Sequence, residues 1–164
     1  MRFKISRFID YKKSARDNAR IVIPLLVARA VAQGREPLVQ KDPQFLHGFR
    51  VELKRVRDTV NLFEPWFGLH QIRFVQILAK LLRILGELND VMTAREVLLK
   101  GRLLCLNPKI EHYLEERVLY KVAEFARLWQ ATLGDDRNAA SWVNYFAGQS
   151  GLTGYASALN VNFD

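Results

Sequence analysis

DPQFLHGFRVELKRVRDTVNLF, Asp42 to Phe63, carries two patterns at once. Asp42 followed by Pro43 is a helix entry, because a carboxylate caps free backbone N–H groups and proline occupies a first-turn position whose N–H is unused. Phe45, Phe49, Leu53, Val56, Val60 and Phe63 then recur at spacings of three and four. They share one helix face, which is a core stripe. His47, Arg50, Lys54, Arg57 and Asn61 step in the same way along a second line, about 100° or more from the first. Arg55 lies off that line. Like charges at helical spacing cost roughly 0.2–0.5 kcal/mol per pair, and only Glu52 and Asp58 stand nearby as counter-charges. A single-signed row favours a polyanion surface over a merely solvated face.

The same reading extends along the chain. A helical pattern runs from about Lys4 to Gln33, with Phe8, Tyr11, Ala15, Ala19, Val22 and Leu26 on one side, Gly34 as its stop, and Pro24 expected to kink or divide it. Within it, IVIPLLVARAVA (Ile21 to Ala32) imitates a signal-peptide core. Asp10 and Asp17 precede that run, Arg29 interrupts it, and it falls well short of the roughly 20 apolar residues of a membrane span, so it reads as a buried helix segment. A third helix begins near Leu69. Phe74, Leu78, Leu81, Leu85, Leu88 and Met92 form its apolar side, and Arg73, Gln76, Lys80, Arg83, Glu87 and Asp90 form a straight polar stripe. It continues to about Lys100, with Gly101 as a break. Asn107-Pro108 repeats the cap-plus-proline entry for a fourth helix reaching about Leu133, and a short helix is expected at Asn138 to Ala147. The closing GQSGLTGYASALNVNFD reads as loop or tail. No segment alternates with period two. The expected fold is all-α: an antiparallel bundle of about four long helices in a single domain, 1–164, whose residues 134–164 hold the short helix and tail.

Lys and Arg total 25 against 17 acidic residues, a formal net charge of +8 and a pI near 9.9, which points to nucleic acid, polyphosphate or an anionic membrane as partner. The single cysteine, Cys105, excludes an internal disulfide and reads as a small buried hydrophobe. Three isolated histidines give no metal-site spacing. No cofactor, metal or membrane partner is therefore expected, and a reducing cytoplasm is the natural setting.

The stretch LHGFRVELKRVRDTVNLF resembles the CHAD family, the conserved-histidine α-helical domain, whose signature is a histidine, an Arg-Val pair and a cluster of arginines before an aliphatic-aromatic run. LAKLLRILGELNDVMTAREVL resembles that family's second signature, a leucine-rich segment with Leu-Gly and then an Arg-Asp pair. The likeness covers about Asp10 to Leu133. It implies a helical fold and binding of inorganic polyphosphate through basic helix faces, without catalysis and with association to polyphosphate granules. The first motif carries over to His47, Arg50, Lys54, Arg55 and Arg57, and the second to Lys80, Arg83, Gly86 and Asp90. Arg73 is a candidate extension. Asn89 stands where the family usually has arginine. Family domains are usually longer, with two similar bundles in tandem, so a homodimer is expected to rebuild that arrangement, with Trp142, Tyr145 and Phe146 as its apolar contacts.

Arginine forks grip two phosphate oxygens, whereas Lys54 and Lys80 act as point charges. Arg117, Lys121 and Arg127 read as surface charges beside Glu115, Glu116 and Glu124, His70 and His112 lie outside both stripes, and the tryptophans read as core. Two other functions share the charge. A nucleic-acid binder would need a recognition motif or aromatics interleaved with the basic rows, and neither is present. An enzyme on polyphosphate or triphosphate, or its accessory module, would be expected to show the Glu-x-Glu-x-Lys pattern of the triphosphatases often fused to this family, or a P-loop, and both are absent. No catalytic residue is assigned.

Overall fold

The computed structural model describes residues 5–35, 43–101 and 107–148. Its first long helix, α1, spans Ala15–Gly34 and is capped by Ser14, whose Oγ accepts from the Asp17 N–H at 3.1 Å. The expected start near Lys4 is wrong. Ile5–Phe8 is a 3-10 turn, and Tyr11 is 87% exposed. The cause is Asn18: its amide donates to the carbonyls of Asp10 and Ser14 while its Oδ1 accepts from the Asp10 N–H at 2.8 Å. Those bonds hold residues 10–14 in a turn that competes with helix.

Pro24 neither divides nor ends α1. The helix continues through it because Val22 to Ala28 are buried without a break, and burial on every side offsets the one backbone bond that proline removes.

Helix α2 is Pro43–Leu62, and a 3-10 turn at Glu64–Trp66 follows. The expected cap at Asp42 lies outside the described residues, as do Cys105 and the tail 149–164. Helix α3, Leu69–Lys100, is 32 residues and so about 48 Å long. Helix α4, Pro108–Trp129, starts as expected from Asn107, whose side chain accepts from the Lys109 N–H at 3.2 Å. It does not continue regularly to Leu133: Gln130–Gly134 is a single π-helical turn, within which the Thr132 hydroxyl donates to the Leu128 carbonyl at 2.6 Å. Helix α5, Asp136–Ala147, is capped by Asp135 and closed by Gly148 at φ 69°, a left-handed position that favours glycine.

Helix α1 packs between α5 and α2, α2 packs on α3, and α3 packs on α4. Among the described residues there are five α-helices and no strand, an all-α bundle as expected. Phe49 of α2 sits fully buried at the centre, with Phe125 at 5.9 Å and Trp129 at 5.6 Å meeting it edge-on. Trp129 also lies against the end of α1 so closely that a Cβ on Gly34 would stand 2.2 Å from its ring. Trp66, by contrast, is 39% exposed, with its ring against Phe63.

The residues expected to form a dimer contact are occupied inside the protomer. Phe146 is fully buried against Phe67 and Phe74, and Trp142 is half-buried with its ring centre 4.8 Å from that of Phe74. The Tyr145 hydroxyl accepts from the Gly68 N–H at 3.1 Å and donates to its carbonyl. They clamp α5 onto α3. No helix among the described residues is long and apolar enough to cross a membrane.

Candidate functional site

Burial of Leu46, Phe49, Leu53, Val56 and Val60 fixes the rotation of α2 about its axis. His47, Arg50, Lys54 and Asn61 are consequently exposed, with Arg57 half-buried, and from His47 to Arg57 the row rises about 15 Å. Glu52 does not neutralise it. Its carboxylate is turned toward α1, where it pairs with Arg29 at 3.5 Å and accepts from Arg55 at 2.7 Å. Arg55, off the row in sequence, is thereby spent on an internal ion pair. Arg57 pairs with Asp58 at 2.8 Å. Arg50 and Lys54 have no carboxylate partner among the described residues.

On α3, Arg73, Gln76, Lys80, Arg83 and Asp90 are exposed, while Glu87 and Asn89 are half-buried. The Arg50 guanidinium reaches across to α3 beside Gly86: a Cβ there would have Arg50 Nη2 as its nearest neighbour, in ordinary contact at 3.8 Å. Arg83 and Lys80 lie about 60° and 120° around α3 from Gly86, so the α3 row turns away from the seam toward α4. The Arg50–Gly86 contact sets the two rows on adjoining helices, where they make up one cationic face.

At the far edge of that face Glu87 accepts from Arg83 at 3.2 Å and pairs with Lys121 of α4. Lys121 is not the surface charge that sequence suggested: it is 5% exposed and donates to Glu124 at 2.8 Å as well as to Glu87. The hydrogen bond from Lys121 holds the Glu87 carboxyl below the usual glutamate range, helped by the charges of Lys121, Arg83 and Arg117. The bonds to Glu124 and Glu87 in turn raise Lys121 above the usual lysine value. Arg117 and Arg127 are exposed as expected, and Arg117 lies 5.7 Å from the Tyr120 ring centre. The one sequence signal for the Lys121 latch was Glu124, three residues on; its second carboxylate comes from another helix.

The family comparison matches the CHAD domain over residues 4–99, which is more than half of the chain and contains both basic rows and Gly86. The chain belongs to the CHAD domain family. CHAD domains are related to polyphosphate and triphosphate metabolism. Comparison with curated proteins and with solved structures gave no match. The CHAD segment takes in α1, α2 and nearly all of α3. Helices α4 and α5 lie past it, and α4 supplies the Lys121 latch. Among the described residues no group of His, Cys, Asp and Glu is placed to hold a metal ion. Of the remaining histidines, His112 pairs with Glu116 at 3.3 Å, and His70 packs on Tyr145.

Proposed function

We propose that this CHAD protein binds inorganic polyphosphate, without turning it over, through the cationic face of α2 and α3. The observation that carries the reading is the pair Arg50 and Lys54: exposed, one helical turn apart, and without a carboxylate, in a protein that neutralises Arg55, Arg57 and Arg83. Polyphosphate is a flexible polyanion with about one charge per phosphate, so its binding draws on many simultaneous contacts and on release of counterions. The Arg50 fork, laid over Gly86, offers two parallel donors to phosphate oxygens, and Lys54 and Lys80 add mobile point charges. Arg83 is shared with Glu87 and Arg57 with Asp58, so both contribute less, and Arg55 contributes to the fold instead. His47 stands exposed at the N-terminal end of the row.

The test is competition between polyphosphate and single-stranded RNA at equal charge concentration and physiological salt, with analysis of chain length before and after incubation. Preference for polyphosphate with unchanged chain length is expected. Preference for RNA, or shortening of the chain, overturns the reading. Association of two copies around one bound chain belongs to the same proposal, and light scattering with and without polyphosphate measures it.

A further inference from the structure

At the N-terminal end of α3, where it meets the π-helical turn and α5, lies a cavity of about 390 Å³ to which α2 contributes no residue. We infer that this cavity is a nucleotide site, taking a planar base against its aromatic wall and a phosphate at its cationic mouth. The reading is independent of polyphosphate binding on α2.

The aromatic wall is held from behind. Trp142 packs on Phe74 and lies nearly parallel to Phe146, leaving its half-exposed remainder to line the cavity. Tyr145 is fixed through its hydroxyl to the Gly68 backbone and meets the His70 ring edge-on at 5.7 Å. Trp142 and Tyr145 meet at 87°, so the wall is a corner of two preset rings, and a flat ligand stacking on one ring and meeting the other edge-on costs little side-chain entropy. Arg73 supplies the charge: it is exposed, lines the cavity and has no ion-pair partner among the described residues. No carboxylate lines the space, so an anion is favoured over a cation. Ser141 offers a hydroxyl, and Asn138, whose Nδ2 donates to the Ala131 carbonyl, keeps its side-chain oxygen as an acceptor for a base N–H.

Size points the same way. Small-molecule sites commonly enclose roughly 300–1,000 Å³ with a few convergent polar groups on a largely apolar wall, whereas a lone phosphate would leave the aromatic surface unused. The π-helical turn contributes Ala131 and Thr132 to the lining, and such turns recur at functional sites. Arg73 is also the first member of the α3 polar row, with Lys80 two turns further along, so additional phosphates have a cationic path leading out of the cavity.

The experiment is isothermal titration of the full chain with AMP, adenosine and inorganic tripolyphosphate, followed by the first ligand on Ser141→Phe, Arg73→Gln and the double variant Arg50→Ala/Lys54→Ala. Saturable AMP binding is expected, with adenosine roughly tenfold or more weaker for want of the contact to Arg73. Ser141→Phe fills the cavity and should abolish binding. Arg73→Gln, an exposed change that keeps the fold whatever Ser141→Phe does, should weaken AMP by a similar factor. The α2 double variant should leave AMP affinity unchanged while losing polyphosphate. Absence of saturable AMP binding overturns the inference. So does tripolyphosphate displacing AMP as well as AMP itself does, or AMP binding that survives Arg73→Gln and falls with the α2 double variant.

Discussion

Replacing Arg50 and Lys54 together by alanine should weaken polyphosphate binding far more than replacing Arg55, although all three residues belong to the same basic cluster. The two side chains of the double variant are exposed, about 6 Å apart along the helix, and not committed to any carboxylate. Each bound phosphate they hold releases condensed counterions, and treating polyphosphate like a single strand, each lost contact lowers the slope of log K against log salt by about 0.7. Two contacts lower it by about 1.4, so the affinity change between 50 and 200 mM salt should shrink by about sevenfold. At fixed salt, about 1 kcal/mol for each solvent-exposed contact gives roughly a thirtyfold loss for the pair. Arg55→Ala should leave both affinity and slope in place, because Arg55 is held by Glu52. Its cost is to the fold, about 1 kcal/mol, since Glu52 keeps Arg29 as a partner. Polarisation of labelled polyphosphate across a salt series, with circular dichroism on every variant, measures both quantities. A folded Arg50→Ala/Lys54→Ala protein with unchanged affinity and slope would refute the assignment, as would an equal flattening by Arg55→Ala.

Two glycines should respond in opposite directions. Gly34→Ala is expected to destabilise by about 1–3 kcal/mol, since the new methyl must displace the buried Trp129 ring, whereas Gly48→Ala meets nothing within 4 Å and should gain about 0.5–1 kcal/mol of helix propensity. Urea denaturation of the pair decides it. Phe49→Ala, which opens a hole between Phe125 and Trp129, should cost about 3–5 kcal/mol, and a loss below 1 kcal/mol would contradict the central place given to that ring. The Lys121 latch predicts a pH dependence. Glu87 has a folded pKa below its ordinary value of about 4.3, so its contribution is present above that value and disappears as pH falls through the lowered one. Lys121 is raised, so its contribution is full below about 10.4 and is lost as pH rises through the higher folded value. Lys121→Met should lower the Tm at neutral pH and reduce its dependence on pH at both ends; a variant that keeps the wild-type pH profile would show that the latch contributes nothing.

The basic row of α2 was legible without coordinates because everything that makes it is local. Spacings of three and four place Phe49, Leu53, Val56 and Val60 on one face, and once that face is buried, the same geometry forces Arg50 and Lys54 outward. The all-α architecture, the burial of Val22 to Ala28, Ala30 and Val31 within the apolar run, and the membership signalled by the two motifs followed from patterns of the same short range. Reach across the chain was needed for the rest. Pro24 lies inside a continuous helix because neighbours on several sides bury the segment. Arg55 and Arg50 look alike in sequence, yet Glu52, oriented by Arg29 on another helix, takes the first and leaves the second free. Lys121 is buried because Glu87, on the preceding helix, meets it there. The cavity at Arg73 exists only where α3, the π-helical turn and α5 converge. Periodicity decides which way a side chain points from its own helix. Which charge meets it there depends on how the helices are rotated and aligned against one another, and only their packing into a common core sets that.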